Sequence, residues 1–102
     1  MNLLHMKYAV EVARLGSLGK ASETLLIATP NISRSIKELE ADLGISIFER
    51  TTKGMELTPD GEQFINFAKR ILGQIEQVEA FYKKGTAKTG VFHFCSKSLL
   101  YL

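Results

Sequence analysis

The sequence predicts a mainly α-helical fold: a winged helix-turn-helix of three helices and a two-stranded β-wing, followed by one long helix. Three observations support it. Two short stretches with helical periodicity lie on either side of a break at Ile27 and Ala28. A strand–turn–strand pattern follows, with Lys53 and Gly54 at its tip. A segment that opens with proline and has heptad spacing then begins at residue 59.

Capping residues frame the first two helices. Asn2 is a good N-cap for the first helix, whose apolar residues recur on one side. Gly16 suits the left-handed position that ends a helix, and Ser17 suits the cap of the next one. We expect the second helix to cover residues 18–26 and to include Leu26 on its buried side.

The third helix is expected to begin at Pro30, because proline lacks the N–H group that would be unpaired at the first helical position. Apolar residues at positions 32, 36, 39 and 43 predict its buried stripe, and Gly44 is expected to end it. Its charges are separated, since Arg34 and Lys37 precede three acidic residues. Only the first half of this helix can therefore approach phosphates without repulsion.

Two strands are predicted over residues 45–50 and 55–58, with a turn at residues 51–54. Gly54 permits the positive φ that such a turn often needs. The long helix begins with Thr58-Pro59-Asp60, which combines an N-cap, a proline at the first position and an acid in the first turn. It is expected to reach residue 84, a length of roughly 40 Å that a winged domain of 58 residues cannot cover.

The apolar residues of this long helix recur in alternating steps of four and three, the pattern by which helices pair. Packing against its own domain accounts for part of the stripe. A stripe of about five turns is difficult to bury within one small domain, and we expect it to form a homodimer interface. The predicted interface residues are Phe64, Ala68, Ile71, Ile75, Val78 and Tyr82.

The start of the third helix and the wing tip are the predicted DNA-binding surfaces. Side chains at the start of a recognition helix can reach base edges, where Asn pairs with adenine and Arg suits guanine or phosphate. The alternatives are a solvated helix side, a solvated hairpin and an Arg50 paired with Glu49 or a helix end. The candidate residues are Thr29, Pro30, Asn31, Ser33, Arg34 and Lys37 on the helix, and Arg50, Thr52 and Lys53 on the wing.

Composition and charge limit other functions. The net charge is +2, and residues 1–58 carry seven basic and seven acidic side chains, so any positive surface must come from their placement. The single Cys95 excludes an internal disulfide, and neither His5 nor His93 has a second ligand at metal spacing. With no nucleophile–base pair and no Gly-rich phosphate loop, we expect no enzymatic activity, no metal and no cofactor.

No segment approaches the roughly 20 apolar residues needed to cross a bilayer. The N-terminal residues also lack the continuous apolar stretch of a signal peptide, because charged side chains interrupt them. We therefore expect a soluble, cytoplasmic protein that does not associate with a membrane.

Four segments match one family: MNL at the start, GSLGKASETL, PNISRSIKELEADLGISIFER and LTPDG. Through them, residues 1–72 resemble the N-terminal region of LysR-type transcriptional regulators without gaps. The resemblance implies a winged helix-turn-helix that binds double-stranded DNA, and a linker helix that pairs antiparallel with that of a second subunit. A domain that senses a small-molecule effector normally follows in the family. Residues 86–102 resemble the first strand of that domain, so an effector is expected only in a longer form.

We therefore expect a DNA-binding domain over residues 1–58, with its helix-turn-helix at about 18–37, a linker or dimerisation helix over 59–85, and a tail over 86–102. The chain departs from the family pattern at Ala28, where Ser is frequent, and at Thr29, where Gln is frequent. This weakens the usual cap of the recognition helix, and we expect Thr29 to replace it.

Two functions follow from these patterns. The first is a homodimeric, sequence-specific transcription regulator that binds an imperfect inverted repeat. The second is a winged-helix protein-interaction module without direct DNA contact, which the balanced charge of residues 1–58 leaves open. Salt dependence distinguishes the two, because phosphate contacts weaken steeply with salt and an apolar protein interface does not.

Overall fold

The computed structural model describes residues 1–85, which form four helices and one two-stranded antiparallel sheet. The helices are α1 (Leu3–Leu15), α2 (Leu18–Leu25), α3 (Thr29–Leu43) and α4 (Pro59–Gly85), and the strands are β1 (Phe48–Thr51) and β2 (Gly54–Leu57). The chain divides into two units, Met1–Leu72 and Gly73–Leu102. This order of elements confirms the predicted winged helix-turn-helix with a long final helix. The predicted tail over residues 86–102 lies outside the described residues.

The predicted caps of α1 and α2 are confirmed. The side chain of Asn2 accepts a hydrogen bond from the N–H of Leu4 at 2.7 Å, and that of Ser17 accepts one from Lys20 at 3.1 Å. Between them, Gly16 adopts the left-handed conformation with φ 71°. The break between the two helices is therefore short, with the Gly16 N–H bonded to the Val12 carbonyl on one side and the Ser17 side chain capping α2 on the other.

The turn between α2 and α3 differs from the prediction. α2 ends at Leu25, and Leu26 adopts the left-handed conformation with φ 60°. The side chain of Leu26 is 89% exposed, so its predicted burial is wrong. A residue in the left-handed conformation does not continue the helix. Leu25 therefore packs against the core, whereas the Leu26 side chain no longer follows the helical spacing that would place it there.

α3 begins one residue earlier than predicted, at Thr29, with Ala28 as its N-cap. No side chain caps this helix, so the predicted replacement of the cap by Thr29 is wrong. Thr29 already lies inside the first turn, where its side chain cannot take the N-cap position. Pro30 follows it and removes one of the N–H groups that a cap would otherwise satisfy.

The core of the first unit forms where α1, α2 and α3 meet the start of the wing and the first turns of α4. The predicted stripe of α3 is confirmed at Ile32, Ile36 and Leu39, which are buried, whereas Leu43 at its end is partly buried and packs against the core. The buried residues from the other elements are Met6, Tyr8, Ala9, Val12, Ala21, Ile47, Phe48, Phe64, Ile65 and Ala68.

The wing is shorter than predicted. β1 and β2 pair from Phe48 with Leu57 to Thr51 with Gly54, which leaves only residues 52 and 53 in the turn. Pairing starts late because the N–H of Ile47 donates to the Glu40 carboxylate at 2.8 Å instead of to a strand. Gly54 has φ 121°, which confirms the positive φ predicted there.

A junction around Ile47 joins α3, the wing and α4. The N–H of Thr58 donates to the Ile47 carbonyl at 3.0 Å, and the Thr58 hydroxyl donates to the Ser46 carbonyl at 2.5 Å. The same hydroxyl accepts the N–H of Gly61 at 2.8 Å, which confirms the predicted cap of α4. A Cβ at Gly61 would collide with the Ile47 carbonyl oxygen, so the first turn of α4 fits here only with glycine. Nothing among the four described helices is long and apolar enough to cross a membrane.

Replacing Gly61 with alanine is expected to lower the free energy of unfolding by about 2–3 kcal/mol, because backbone atoms must move to admit the new Cβ. Gly73→Ala is the matched control. Gly73 also lies in α4, but a Cβ there meets no atom within 4 Å, and the substitution should raise stability by roughly 0.5–1 kcal/mol. Urea denaturation at one fixed protein concentration measures both. Equal effects of the two substitutions would contradict the close approach at Ile47.

Leu26→Asn is expected to stabilise the protein by roughly 1 kcal/mol, because asparagine tolerates the left-handed conformation better than leucine. Little packing is lost, since the Leu26 side chain is exposed. Thr24→Asn, at an exposed position inside α2, is the control and should not stabilise. Thermal unfolding followed by circular dichroism tests the pair, and a destabilised Leu26→Asn protein would show that this side chain has a structural role.

Candidate nucleic-acid interface

The first two turns of α3 carry a cluster of polar side chains at the surface. The buried stripe of the helix anchors it in the core, so the remaining side chains point outward. Thr29 and Ser33 are half-buried, whereas Pro30, Asn31, Arg34 and Lys37 are exposed. The structure thus brings the six helical candidates together at one end of a single helix.

Two of these candidates contact each other. The Nη2 group of Arg34 donates a hydrogen bond to Oδ1 of Asn31 at 2.6 Å. Asn31 is neutral, so the contact orients the guanidinium without cancelling its charge. On α1, by contrast, Arg14 binds the carboxylate of Glu11 through Nε at 3.1 Å and Nη2 at 2.5 Å. That hydrogen bond holds the pKa of Glu11 below its ordinary value, and the pair raises the pKa of Arg14.

The acidic residues of the second half of α3 contact other elements. Glu40 accepts hydrogen bonds from the backbone at the start of the wing. Asp42 lies 3.3 Å from the N-terminal ammonium of Met1, and Glu38 lies 3.9 Å from Nε2 of His5. The predicted separation of charge along α3 is therefore present in the structure, with the basic side chains at its N-terminal end.

The wing tip presents the other predicted residues. Arg50, Thr52 and Lys53 are all exposed. The hydroxyl of Thr51 donates to the Gly54 carbonyl at 3.2 Å and accepts the N–H of Lys53 at 3.1 Å, so the turn that carries Lys53 is braced. Across residues 1–85, neither Arg50 nor Lys53 forms an ion pair, and the alternative pairing of Arg50 with Glu49 is not made.

Sequence reasoning missed the residues that hold the wing in place. The N–H of Met55 donates to the Gly16 carbonyl at 3.2 Å, which connects β2 to the turn between α1 and α2. A Cβ at Gly54 would lie 2.6 Å from the same carbonyl oxygen. Glu40 was missed as the partner of Ile47. Contacts between backbone groups leave little pattern in a sequence. The only signal was the glycines predicted at the two turns, Gly16 and Gly54, because glycine allows two backbone segments to approach closely.

α4 exposes apolar side chains in the first unit. Phe64 and Ala68, two of the predicted interface residues, are buried in the core of this unit. Phe67 is 53% exposed and Ile71 is 40% exposed. The guanidinium carbon of Arg70 lies 5.8 Å from the centre of the Phe67 ring, a contact that covers only one side of it.

α4 also exposes apolar side chains in the second unit, of which the structure describes residues 73–85. Ile75 is half-buried, Val78 is 56% exposed, and both Phe81 and Tyr82 are exposed. The rings of Phe81 and Tyr82 pack edge to face with centroids 4.9 Å apart. Phe67 and Phe81 were missed because they lie beside the heptad positions selected from the sequence. Among the described residues, no group of three or more His, Cys, Asp or Glu side chains could hold a metal ion.

Comparison with known families identifies the domain type. The model of the family described as bacterial regulatory helix-turn-helix protein, lysR family, matches residues 3–62. The uncharacterised HTH-type transcriptional regulator YcgK of Bacillus subtilis is 46% identical over 72 residues, which cover 71% of this chain and 22% of the relative. The HTH-type transcriptional regulator BenM of Acinetobacter baylyi is 37% identical over 84 residues, which cover 82% of this chain and 28% of the relative. The chain thus spans less than a third of the length of these two relatives.

Solved structures share the fold. The BenM_DBD/catB site 1 DNA complex aligns with a TM-score of 0.79 and 36% identity, over 85% of this chain and 94% of that chain. The structure of CbnR, a LysR family transcriptional regulator, aligns with a TM-score of 0.78 and 34% identity, over 83% of this chain and 29% of that chain. At these identities the likeness extends beyond fold to sequence.

Proposed function

Because the chain belongs to the lysR family of bacterial regulatory helix-turn-helix proteins, we propose that it binds a specific sequence of double-stranded DNA and regulates transcription. One observation carries this proposal. Arg34 and Lys37 extend into solvent from the first half of α3, while the opposite side of that helix is buried and its acidic residues contact other elements. A solved relative, BenM, whose DNA-binding structure carries the same fold, is described in complex with DNA.

In this proposal the N-terminal half of α3 enters the major groove. Arg34 contacts a guanine edge or a phosphate, and Lys37 contacts a phosphate farther along the helix. The proposed DNA-binding surface of α3 also includes the residues around Arg34 and Lys37, which are Thr29, Pro30, Asn31 and Ser33.

The wing supplies a second contact in the same proposal. Arg50 and Lys53 carry positive charge on exposed side chains, and the exposed hydroxyl of Thr52 lies between them in the sequence. Such a tip suits the phosphate backbone or the minor groove. Its bonds to Thr51, and the contact of Met55 with Gly16, limit how far the tip can move before DNA binds.

We also propose that α4 mediates a homodimer. Ile71 in the first unit, and Val78 and Tyr82 in the second, are exposed apolar residues of the predicted heptad stripe. Exposed apolar area of this kind usually marks an interface. The buried Phe64 and Ala68 anchor α4 to its own domain, and the partner would cover the residues that follow. Two paired recognition helices would then read an imperfect inverted repeat.

The DNA-binding proposal predicts that Arg34→Ala weakens binding by about 1–3 kcal/mol, the size of one good bidentate contact. The fold should survive, because Arg34 is exposed. The matched control is Arg14→Ala, which removes an exposed arginine from α1 and should leave binding nearly unchanged. Fluorescence anisotropy measures this on a duplex that the wild-type chain enriches from a randomised pool. Equal affinity of the folded Arg34→Ala protein and the wild type would contradict the proposed role of α3.

Salt dependence tests the competing interaction module with the same duplex. Binding through phosphates should weaken in proportion to a power of the salt concentration, with an exponent close to the number of phosphates contacted. If the wild-type chain enriches no sequence, or binds DNA with no salt dependence, the DNA-binding proposal fails and the protein-interaction module is favoured.

The dimer proposal predicts that Ile71→Glu together with Val78→Glu yields a monomer that binds DNA far more weakly. Each glutamate would place a charge in the dimer interface. The free energy needed to bury that charge exceeds the free energy that the original apolar contact contributes. Ala80→Glu is the control, because Ala80 is exposed on the opposite side of α4 from Val78. Sedimentation equilibrium at micromolar concentration provides the mass. A wild-type mass near 11.4 kDa would show that α4 does not pair in this chain.

A further inference from the structure

The hydrogen bond between Asn31 and Arg34 assigns different roles to two exposed side chains of α3. Arg34 donates from Nη2 to Oδ1 of Asn31 at 2.6 Å, and the residues are three apart, a spacing that brings side chains together on successive turns. From this contact we propose that Asn31 is a positioning residue, which holds the Arg34 guanidinium for contact with DNA instead of reading a base itself. The role rests on the proposed function, since it concerns how the same surface selects its sequence.

The chemistry of the contact determines which part of Asn31 stays available. A guanidinium has five N–H donors and no acceptor, so the Asn31 atom that faces it must be the amide oxygen. The paired contact that asparagine makes with adenine needs both that oxygen and the amide NH₂ group. Arg34 uses one of the two lone pairs of that oxygen and orients the amide toward the guanidinium, so this arrangement favours contact with DNA through Arg34 over the paired contact of Asn31 with adenine.

Arg34 retains what it needs for DNA. One of its five donors is used, and four remain, enough for a fork of two bonds to O6 and N7 of guanine or to two phosphate oxygens. Its partner is a neutral amide, so the positive charge is not cancelled. Arg14 has the same spacing to its partner, but the Glu11 carboxylate neutralises it.

Holding the guanidinium before binding reduces the entropy that a long side chain loses when DNA orders it. The support beneath the pair is firm, because the neighbouring Ile32 is fully buried in the core. The pair is therefore preorganised on a fixed stretch of helix. The selected base at the corresponding position is expected to be guanine, with adenine disfavoured as the partner of Asn31.

The first arm of the test needs no DNA. Relaxation of the Nε–H group of Arg34, measured by nitrogen-15 NMR on the whole chain, should show an ordered side chain in the wild type. Asn31→Ala should increase its motion, and Asn31→Asp, which keeps an oxygen in place, should preserve the order. The Nε–H of Arg14 is the internal control and should not respond to either substitution. An Arg34 side chain equally ordered in Asn31→Ala would overturn the positioning role.

The second arm is a double-mutant cycle on the duplex that the wild-type chain enriches from a randomised pool. Asn31→Ala should weaken binding about two- to tenfold when Arg34 is present, the range expected for immobilising one long side chain. In an Arg34→Ala background the same substitution should have no further effect. Sequences enriched by Asn31→Ala should show a weaker preference for guanine at one position.

The outcomes separate the two proposals. Additive losses in the cycle, or a lost preference for adenine in Asn31→Ala, would overturn the positioning role while leaving the proposed function intact. Failure of the wild-type chain to enrich any sequence would overturn the proposed function, and the role of the pair in DNA selection with it. Asn66→Ala, the same change at an exposed position of α4, controls for general effects of losing an asparagine and should leave binding within twofold of wild type.

Discussion

The position of Ile47 is the constraint on which the first unit depends. Its side chain lies in the core, its N–H is bound by Glu40 of α3, and its carbonyl accepts the N–H of Thr58 just before α4. Gly61 allows the first turn of α4 to approach that carbonyl closely. α3, the wing and α4 therefore meet at one residue, and a change in the position of any of them is expected to disturb the other two.

This junction also explains how a chain of nearly balanced charge presents a basic surface. Glu40 keeps its negative charge, and its hydrogen bonds to the backbone N–H groups of Ile47 and Phe48 fix that charge in the second half of α3, separate from the basic first half. Asp42 is matched by the N-terminal ammonium. Arg34, by contrast, is held by a neutral amide and keeps its charge. The electrostatic character of the surface thus comes from where the side chains find partners, since their numbers nearly cancel.

The order and type of the elements could be predicted from the sequence because local rules decide them. The residues that border the helices lie at their predicted positions. Asn2, Ser17 and Thr58 accept hydrogen bonds from N–H groups in the first turns of their helices, and Gly16 ends α1. The stripe of α3 follows helical periodicity and is buried as expected. Predictions failed where the backbone departs from regular geometry, at the left-handed Leu26, at the uncapped start of α3 and at the late start of β1. The start of β1 depends on the contact between Ile47 and Glu40, which strand periodicity does not record.

By itself, the sequence determined the helices, the wing, the glycine at its tip and the set of polar residues at the start of α3, since periodicity, caps and turn residues act over a few positions. Only the tertiary structure decided which of those residues work together. The hydrogen bond between Asn31 and Arg34 depends on the rotamers that the two side chains adopt. The hydrogen bonds of Ile47 with Glu40 and Thr58 join positions up to 18 residues apart in the sequence. Phe64 and Ile71 belong to the same predicted stripe of α4, but Phe64 is buried and Ile71 is exposed. This difference depends on where the neighbouring elements end, and a local sequence pattern does not contain that information.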